Sequence, residues 1–215
     1  MKRKVKTKVK GFRTTDGAGV KLVRVLGNLT TKEFDPILML DSFDSINPDD
    51  YTAGFPMHPH RGIETISYVS RGKMVHRDSL GNEAGISDGE VQWMNSGSGI
   101  MHEEMVPAAE RLLGVQLWLN LPAKDKMSKP SYNSIKNEDI KEIEIEGGKI
   151  RLLAGKYGEH EGYKGDYLSM DYYDIHLNAD AEVTLTMEED DSVMVFTLLG
   201  DVYIDGEHIE EKTAV

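Results

Sequence analysis

Two short histidine motifs carry the residues of this sequence that are best suited to chemistry. His58 and His60 flank a proline in the first motif, and His102 stands two positions before Glu104 in the second. Side chains two positions apart in an extended chain share one face, so each pair points one way while Glu103 points the other. If the pairs face each other inside a barrel, they offer three imidazoles and one carboxylate. That set suits a divalent transition metal such as iron, with positions left for water, oxygen or substrate. In the alternative interpretation these are surface histidines that never meet.

Composition limits the classes of protein to which the chain can belong. Its 215 residues are 39% hydrophobic and 29% charged, which is ordinary for a soluble globular protein. The formal net charge of −12 argues against a nucleic-acid partner, because phosphate contacts need a basic surface. Cysteine is absent, which excludes disulfides and thiolate ligands and fits a reducing, cytoplasmic location. No apolar run is long enough to predict a membrane partner.

Short β-rich runs dominate the first half of the chain, and helical periodicity is scarce. Turn dipeptides such as Gly81-Asn82 and Asp88-Gly89 separate several of these runs. Many short strands at this spacing predict a sandwich or a barrel. The predicted strands are Val20 to Leu26, Ile37 to Leu40, Ile63 to Ser70, Lys73 to Asp78, Val91 to Met94 and Arg111 to Asn120.

A polar, proline-containing stretch from Pro122 to Asp139 interrupts this pattern and is typical of a linker. Strands are predicted again beyond it, so the second half is expected to be another β unit. Its histidines are far apart and lack the paired spacing, which assigns any metal site to the first half. The later predicted strands include Ile140 to Ile145, Ile150 to Leu153, Tyr167 to His176, Ala181 to Met187, Val193 to Leu198 and Asp201 to Ile204.

The segment Phe55 to Met105 closely resembles the pirin family of the cupin superfamily. It contains, in family order and at family spacing, the runs HPHRGxET, HRDSLGN, GxVQWM and GxGIxHxE. These motifs are specific, because a chance match to all four over about fifty consecutive residues is not credible. Weaker likeness extends from Gly11 to Val215.

This resemblance implies an all-β bicupin fold, in which two double-stranded β-helix (jelly-roll) barrels pack side by side. We expect an N-terminal metal-binding cupin domain at residues 1–122, a linker at 123–139 and a metal-free C-terminal cupin domain at 140–215. A usual pirin continues further, so the second barrel is expected to be incomplete. An open barrel edge favours pairing with another chain, so we expect either an oligomer that buries this edge or a chain less stable than a complete bicupin.

The resemblance also implies a ligand set for the metal, namely His58, His60, His102 and Glu104. Strand alternation selects the same residues independently. Many other cupins take their carboxylate from the first motif, which here would be Glu64. Glu64 lies an even number of positions from His58 and His60, so it shares their face of an extended chain. It therefore competes with Glu104 as the carboxylate ligand.

Other polar and aromatic residues have supporting roles in this interpretation. Glu64, if it points inward without binding metal, is expected to accept a hydrogen bond from a ligand imidazole or from substrate. Gln92 and Phe55 are expected to line a substrate cleft near the metal. His76 and Arg77 are interpreted as structural rather than catalytic.

The pirin resemblance implies a mononuclear iron dioxygenase that acts on flavonols such as quercetin, with Glu104 as the general base for the flavonol hydroxyl. Fe(II) is the expected metal, and Zn, Ni, Mn and Cu are the other candidates. The alternative is a metal-loaded, redox-sensitive regulatory module that binds a protein partner without turnover. A third hypothesis is a cupin that binds small molecules and uses zinc or nickel structurally.

Overall fold

A computed structural model describes residues 2–215 and shows the strand-rich chain that the sequence predicts. Its only helical element within this range is the short 3-10 turn Pro48–Asp50. No helix in the described part of the chain is long and apolar enough to cross a membrane. The strands are β1 Val9–Lys10, β2 Phe12–Asp16, β3 Val20–Leu26, β4 Ile37–Ser45, β5 Phe55–His60, β6 Ile63–Arg71, β7 Lys73–Asp78, β8 Glu83–Ser87, β9 Glu90–Asn95, β10 Ile100–Met105, β11 Leu112–Asn120, β12 Ser131–Ile135, β13 Lys141–Ile145, β14 Gly148–Ala154, β15 Lys156–Tyr157, β16 His160–Glu161, β17 Tyr172–Leu177, β18 Val202–Ile204, β19 Glu207–Ile209 and β20 Thr213–Ala214.

The chain divides into two compact units. The first comprises the chain up to Ser134 together with Met194–Val215, and the second comprises Ile135–Val193. A seven-stranded sheet of order β12-β9-β6-β11-β4-β3-β2 and a four-stranded sheet of order β5-β10-β7-β8 build most of the first unit. The predicted histidine motifs lie on β5 and β10, which are antiparallel neighbours in the smaller sheet.

An apolar cluster holds the first unit together. Its members come from both sheets and from the loops that join them, and each is at most 4% exposed. Burying a side chain of this size stabilises the fold by about 1.5–3 kcal/mol. The cluster consists of Val20, Leu22, Phe43, Tyr51, Val69, Met74, Ile86, Val106 and Leu112, with Phe55 packed against it.

Tight turns follow β7 and β8 of the smaller sheet, as the turn dipeptides predict. β7 and β8 form a hairpin in which the amide N–H of Asp78 donates to the carbonyl of Asn82 and the N–H of Gly81 donates to the carbonyl of Asp78. Gly81 has a φ of +90° and Gly89, in the next turn, has a φ of +81°. Such angles suit residues without a Cβ atom.

The second unit contains the three-stranded sheet β13-β14-β17 and the hairpin β15-β16. Ile150 and Leu152 on the central strand are fully buried. The strand predicted at Ala181 to Met187 is wrong, because those residues have no strand partner. An alternating sequence becomes a strand only where a neighbour completes its backbone hydrogen bonds.

The polar stretch Pro122 to Asp139 is not a continuous linker, because Ser131–Ile135 forms β12 beside β9. The run predicted at Val193 to Leu198 makes only a single bridge, between Phe196 and Ala214. The cupin boundaries at residues 1–122 and 140–215 stay a prediction.

Candidate metal centre

The three motif histidines lie together on the inner face of the smaller sheet. In the antiparallel pairing of β5 with β10, His58 lies opposite His102, and His60 lies opposite Ile100. The ring centroids of the histidines are 4.4 to 5.0 Å apart. One ring nitrogen from each residue lies within 4.8 Å of the others. Strand alternation therefore brings the three imidazoles into one group.

Hydrogen bonds at the rim direct the free nitrogen of His58 into this group. Its Nδ1 lies 2.7 Å from the carbonyl oxygen of Pro56, which can only accept, so Nδ1 carries the proton. Nε2 of His58 is then a lone-pair nitrogen, and it lies 3.1 Å from Nε2 of His60. Two ring nitrogens at this separation can share one cation.

His102 forms the buried floor of the group and is only 1% exposed. Its Nδ1 lies 3.3 Å from Nδ1 of His76. Its Nε2 is buried and makes no hydrogen bond within residues 2–215. A buried polar atom without a partner is costly, and a bound metal ion would satisfy it.

The rings of His60 and His102 favour the neutral form. Burial, reinforced by repulsion from His58 whenever that ring is protonated, lowers the pKa of His60 to about 4. Burial lowers the pKa of His102 to about 2, and repulsion from His58 and His60 when those rings are protonated adds to this effect. Metals bind the neutral ring, so these two nitrogens can accept a cation at neutral pH without first losing a proton.

Glu104 follows on the same face of β10 but reaches toward the larger sheet. Nε2 of Gln116 donates to both of its carboxylate oxygens, at 3.1 and 2.9 Å. Nε2 of Gln92 and Oγ of Ser67 also donate to its Oε1 atom. These partners lie on β11, β9 and β6, so one carboxylate connects four strands.

The carboxylate of Glu104 is held apart from the histidine group. Within the described residues, the group of three potential ligands whose atoms all lie within 4.8 Å of one another consists of His58, His60 and His102, and Glu104 does not belong to it. Burial raises the pKa of Glu104, and the hydrogen bond from Gln116 opposes this shift. Metal binding by Glu104 stays a prediction, because its oxygens are occupied by amide donors.

The other residues predicted around the site have defined positions. Glu64 lies on β6, is 1% exposed and falls outside the group of three ligand atoms. Gln92 is buried, and its side-chain nitrogen contacts Ser67 as well as Glu104. Phe55 packs edge-on against Phe43, with ring centroids 6.1 Å apart, and contacts the apolar cluster. Its predicted role as a cleft residue stays a prediction.

Sequence reasoning missed several residues around the site. Gln116 binds Glu104, and Trp118 places its ring 4.9 Å from that of His60. Tyr132 stacks on His76 at 4.0 Å and an interplanar angle of 13°. A signal was present on β11, where Gln116 and Trp118 alternate with apolar residues and so share a face. No comparable sequence pattern marks Tyr132.

Comparisons with known proteins agree with this architecture. Residues 19–119 match the family profile described as Pirin. A Pseudomonas aeruginosa protein, provisionally named a quercetin 2,3-dioxygenase, is 42% identical over 204 residues, which cover 92% of this chain and 72% of that protein. Human pirin is 33% identical over 214 residues, which cover 98% of this chain and 71% of pirin.

A solved structure shows the same fold. The crystal structure of quercetin 2,3-dioxygenase from Acinetobacter baumannii matches this chain with a TM-score of 0.88 and 30% identity, over 100% of this chain and 78% of that one. The predicted all-β, bicupin jelly-roll class is thereby confirmed. The chain belongs to the pirin family of cupin proteins.

Proposed function

We propose that this protein is a mononuclear iron(II) dioxygenase that acts on flavonols such as quercetin. The observation that carries the proposal is the convergence of three ring nitrogens from His58, His60 and His102 within 4.8 Å. The name of the Pseudomonas aeruginosa relative and that of the Acinetobacter baumannii structure support the same activity.

The donor set fits a divalent transition metal. His58, His60 and His102 each offer a nitrogen, and the depressed pKa values of the last two keep those rings neutral. Three imidazoles, with Glu104 as the proposed fourth ligand, suit iron, while zinc, nickel, manganese and copper also accept such donors. When bound, the metal would supply a Lewis acid that orients oxygen and substrate and stabilises negative charge on oxygen.

Glu104 is the residue to which we assign the movement of a proton. Its carboxylate can accept the proton of a flavonol hydroxyl, and burial raises its pKa toward the range useful for a general base. Gln92 and Gln116 hold the carboxylate by donating hydrogen bonds, which fixes its orientation. Glu104 also remains our proposed fourth ligand, which requires it to exchange an amide partner for the metal.

An aromatic substrate fits the surroundings of the group. Trp118 lies against His60, and its indole N–H is buried without a hydrogen-bond partner within residues 2–215. An indole face beside the ligands can stack on a planar ring, and the N–H can donate to a substrate oxygen. Both features favour a flat, oxygen-bearing molecule.

Turnover by protein loaded with iron(II) under anaerobic conditions tests the proposal. On admission of oxygen, quercetin should disappear while a stoichiometric amount of oxygen is consumed and a ring-opened product forms. Glu104→Gln at saturating iron should lower the rate by about 10²–10⁴-fold, the usual contribution of a general base. Glu103→Gln is the matched control, since Glu103 pairs with Arg77 at 3.6 Å on the opposite face.

The same measurements distinguish the regulatory alternative. Protein that binds one iron per chain but leaves quercetin and oxygen unchanged would contradict the dioxygenase proposal and support a metal-loaded binding module. Protein that binds no divalent metal would contradict both hypotheses. Equal rates for Glu103→Gln and Glu104→Gln would remove the role of Glu104 as the base.

A further inference from the structure

A chain of three buried side chains stands behind the histidine group. His76 and Asp78 lie two positions apart on β7, which is the neighbour of β10. Nε2 of His76 lies 2.9 Å from Oδ2 of Asp78, and Nδ1 of His76 lies 3.3 Å from Nδ1 of His102. Both β7 side chains are at most 1% exposed. The chain therefore connects a carboxylate to a candidate metal ligand through one imidazole.

The carboxylate of Asp78 accepts hydrogen bonds on both oxygens. Oδ1 accepts from the backbone N–H groups of Leu80 and Asn82, and Oδ2 accepts from the side-chain amide of Asn82. Burial alone would raise the pKa of Asp78, but the hydrogen bonds from His76 and Asn82 outweigh it and lower the pKa. Both oxygens of Asp78 therefore accept hydrogen bonds from donors that cannot accept in return.

This arrangement fixes where the protons lie. Because Asp78 accepts, Nε2 of His76 donates, and the neutral His76 ring has its lone pair on Nδ1. Nδ1 of His102 must then donate to His76, which leaves the lone pair of His102 on Nε2. That atom is the buried nitrogen that has no hydrogen-bond partner within residues 2–215.

We propose that Asp78 and His76 are positioning residues that hold His102 in the Nδ1-protonated tautomer, with the Nε2 lone pair directed at the metal. This inference rests on the metal site of the proposed function. A ligand histidine that donates its second N–H to a fixed acceptor is oriented and made more basic. Here the acceptor is another histidine, which in turn is fixed by a carboxylate.

The packing of His76 restricts it to this role. Tyr132 stacks on its ring at 4.0 Å, which holds the plane of the imidazole. Its two nitrogens are both occupied, by Asp78 and by His102, so His76 is not a fourth metal ligand. The sequence-based interpretation of His76 as structural is refined, because the residue orients a ligand rather than only filling the core.

A pair of substitutions at His76 separates positioning from packing. His76→Phe keeps a ring that can stack on Tyr132 but removes the acceptor for His102. His76→Asn places its Oδ1 near the former Nδ1 and restores that acceptor. Asp174→Asn is the matched control, because Asp174 and His176 form a similar pair at 2.7 Å on an exposed strand of the second unit.

Two measurements are made on each variant that retains the circular dichroism spectrum and cooperative unfolding of the wild type. Long-range proton–nitrogen NMR of the metal-free protein reads the tautomer of His102, and chelator competition with nickel(II) reads metal affinity. We expect an Nδ1-protonated His102 in the wild type and a loss of that preference in His76→Phe. Nickel affinity should fall about 10–100-fold in His76→Phe, as is typical when the partner of a ligand is removed.

The conservative variant and the control complete the test. His76→Asn should recover most of the affinity, and Asp174→Asn should match the wild type. A wild-type His102 protonated on Nε2, or a His76→Phe protein that binds nickel as tightly as the wild type, would overturn the inference while leaving the proposed function intact. If the wild type binds no metal, the proposed function fails, and the tautomer of the metal-free protein still decides whether His76 positions His102.

Discussion

Gln116 donates hydrogen bonds to both carboxylate oxygens of Glu104, although the two residues belong to different sheets. The carboxylate is completely buried, and its charge would be costly there without donors. The glutamine therefore allows the carboxylate of Glu104 to remain buried between the two sheets. It also connects the two sheets at the level of the proposed metal.

Gln116→Leu should destabilise the metal-free protein in a pH-dependent way. Removing a donor from a buried carboxylate costs about 1–3 kcal/mol. Burial raises the pKa of Glu104 above its unfolded value, so the folded state binds more protons and its stability falls as pH rises through the folded pKa. The loss in Gln116→Leu should be larger at a pH above the folded pKa of Glu104 than at a pH below it. Urea unfolding at the two pH values measures it, and an equal loss at both would contradict the role of the charge.

The histidine group should give the opposite pH dependence. The pKa of His60 is lowered to about 4, so between that value and the ordinary one near 6.5 the folded state binds fewer protons than the unfolded state. Its contribution to the free energy of unfolding therefore rises with pH across this window, by at most about 1.4 kcal/mol per pH unit. His60→Asn should flatten the wild-type slope between pH 4 and 6.5 in metal-free protein. An unchanged slope would show that His60 titrates normally in the fold.

Metal binding should raise the unfolding temperature through the histidine group. A ligand at a hundred times its Kd stabilises the folded state by about 2.7 kcal/mol. His58→Ala removes a donor nitrogen, so the stabilisation by nickel(II) or iron(II) should largely disappear. His176→Ala, which changes an exposed histidine of the second unit, should retain the full shift. Calorimetric scans with and without metal measure the rise in unfolding temperature. A rise in His58→Ala as large as in the wild type would exclude His58 as a ligand.

Gly114 is expected to be intolerant of a side chain. A Cβ atom there would lie 2.3 Å from the carbonyl oxygen of Tyr68 on the neighbouring strand. This contact is too short, so the backbone of one strand would have to shift. Gly114→Ala should cost about 1–3 kcal/mol, as overpacking usually does. Gly85→Ala is the control, because its nearest neighbours would lie at 3.5 Å or more. If Gly114→Ala and Gly85→Ala were half unfolded at the same urea concentration, the expected clash would be contradicted.

The spacing of residues by itself determined which histidine side chains share a face. Alternation along an extended strand is a local property, so it placed His58 with His60 and His102 with Glu104 before any partner strand was known. The turn dipeptides predicted the turns after β7 and β8 for the same reason, since each turn needs only its own backbone angles. The family motifs added the bicupin class.

Only the tertiary structure decided which residues from distant parts of the chain meet at the site. Gln116, twelve positions from Glu104, and Ser67, thirty-seven positions away, reach that carboxylate because sheet pairing brings β11 and β6 near it. His76 reaches His102 across the β7–β10 pairing in the same way. Pairing also decided against a strand at Ala181 to Met187, since its alternating sequence finds no neighbour. Such contacts depend on which backbones complete each other's hydrogen bonds, and no local pattern encodes that choice.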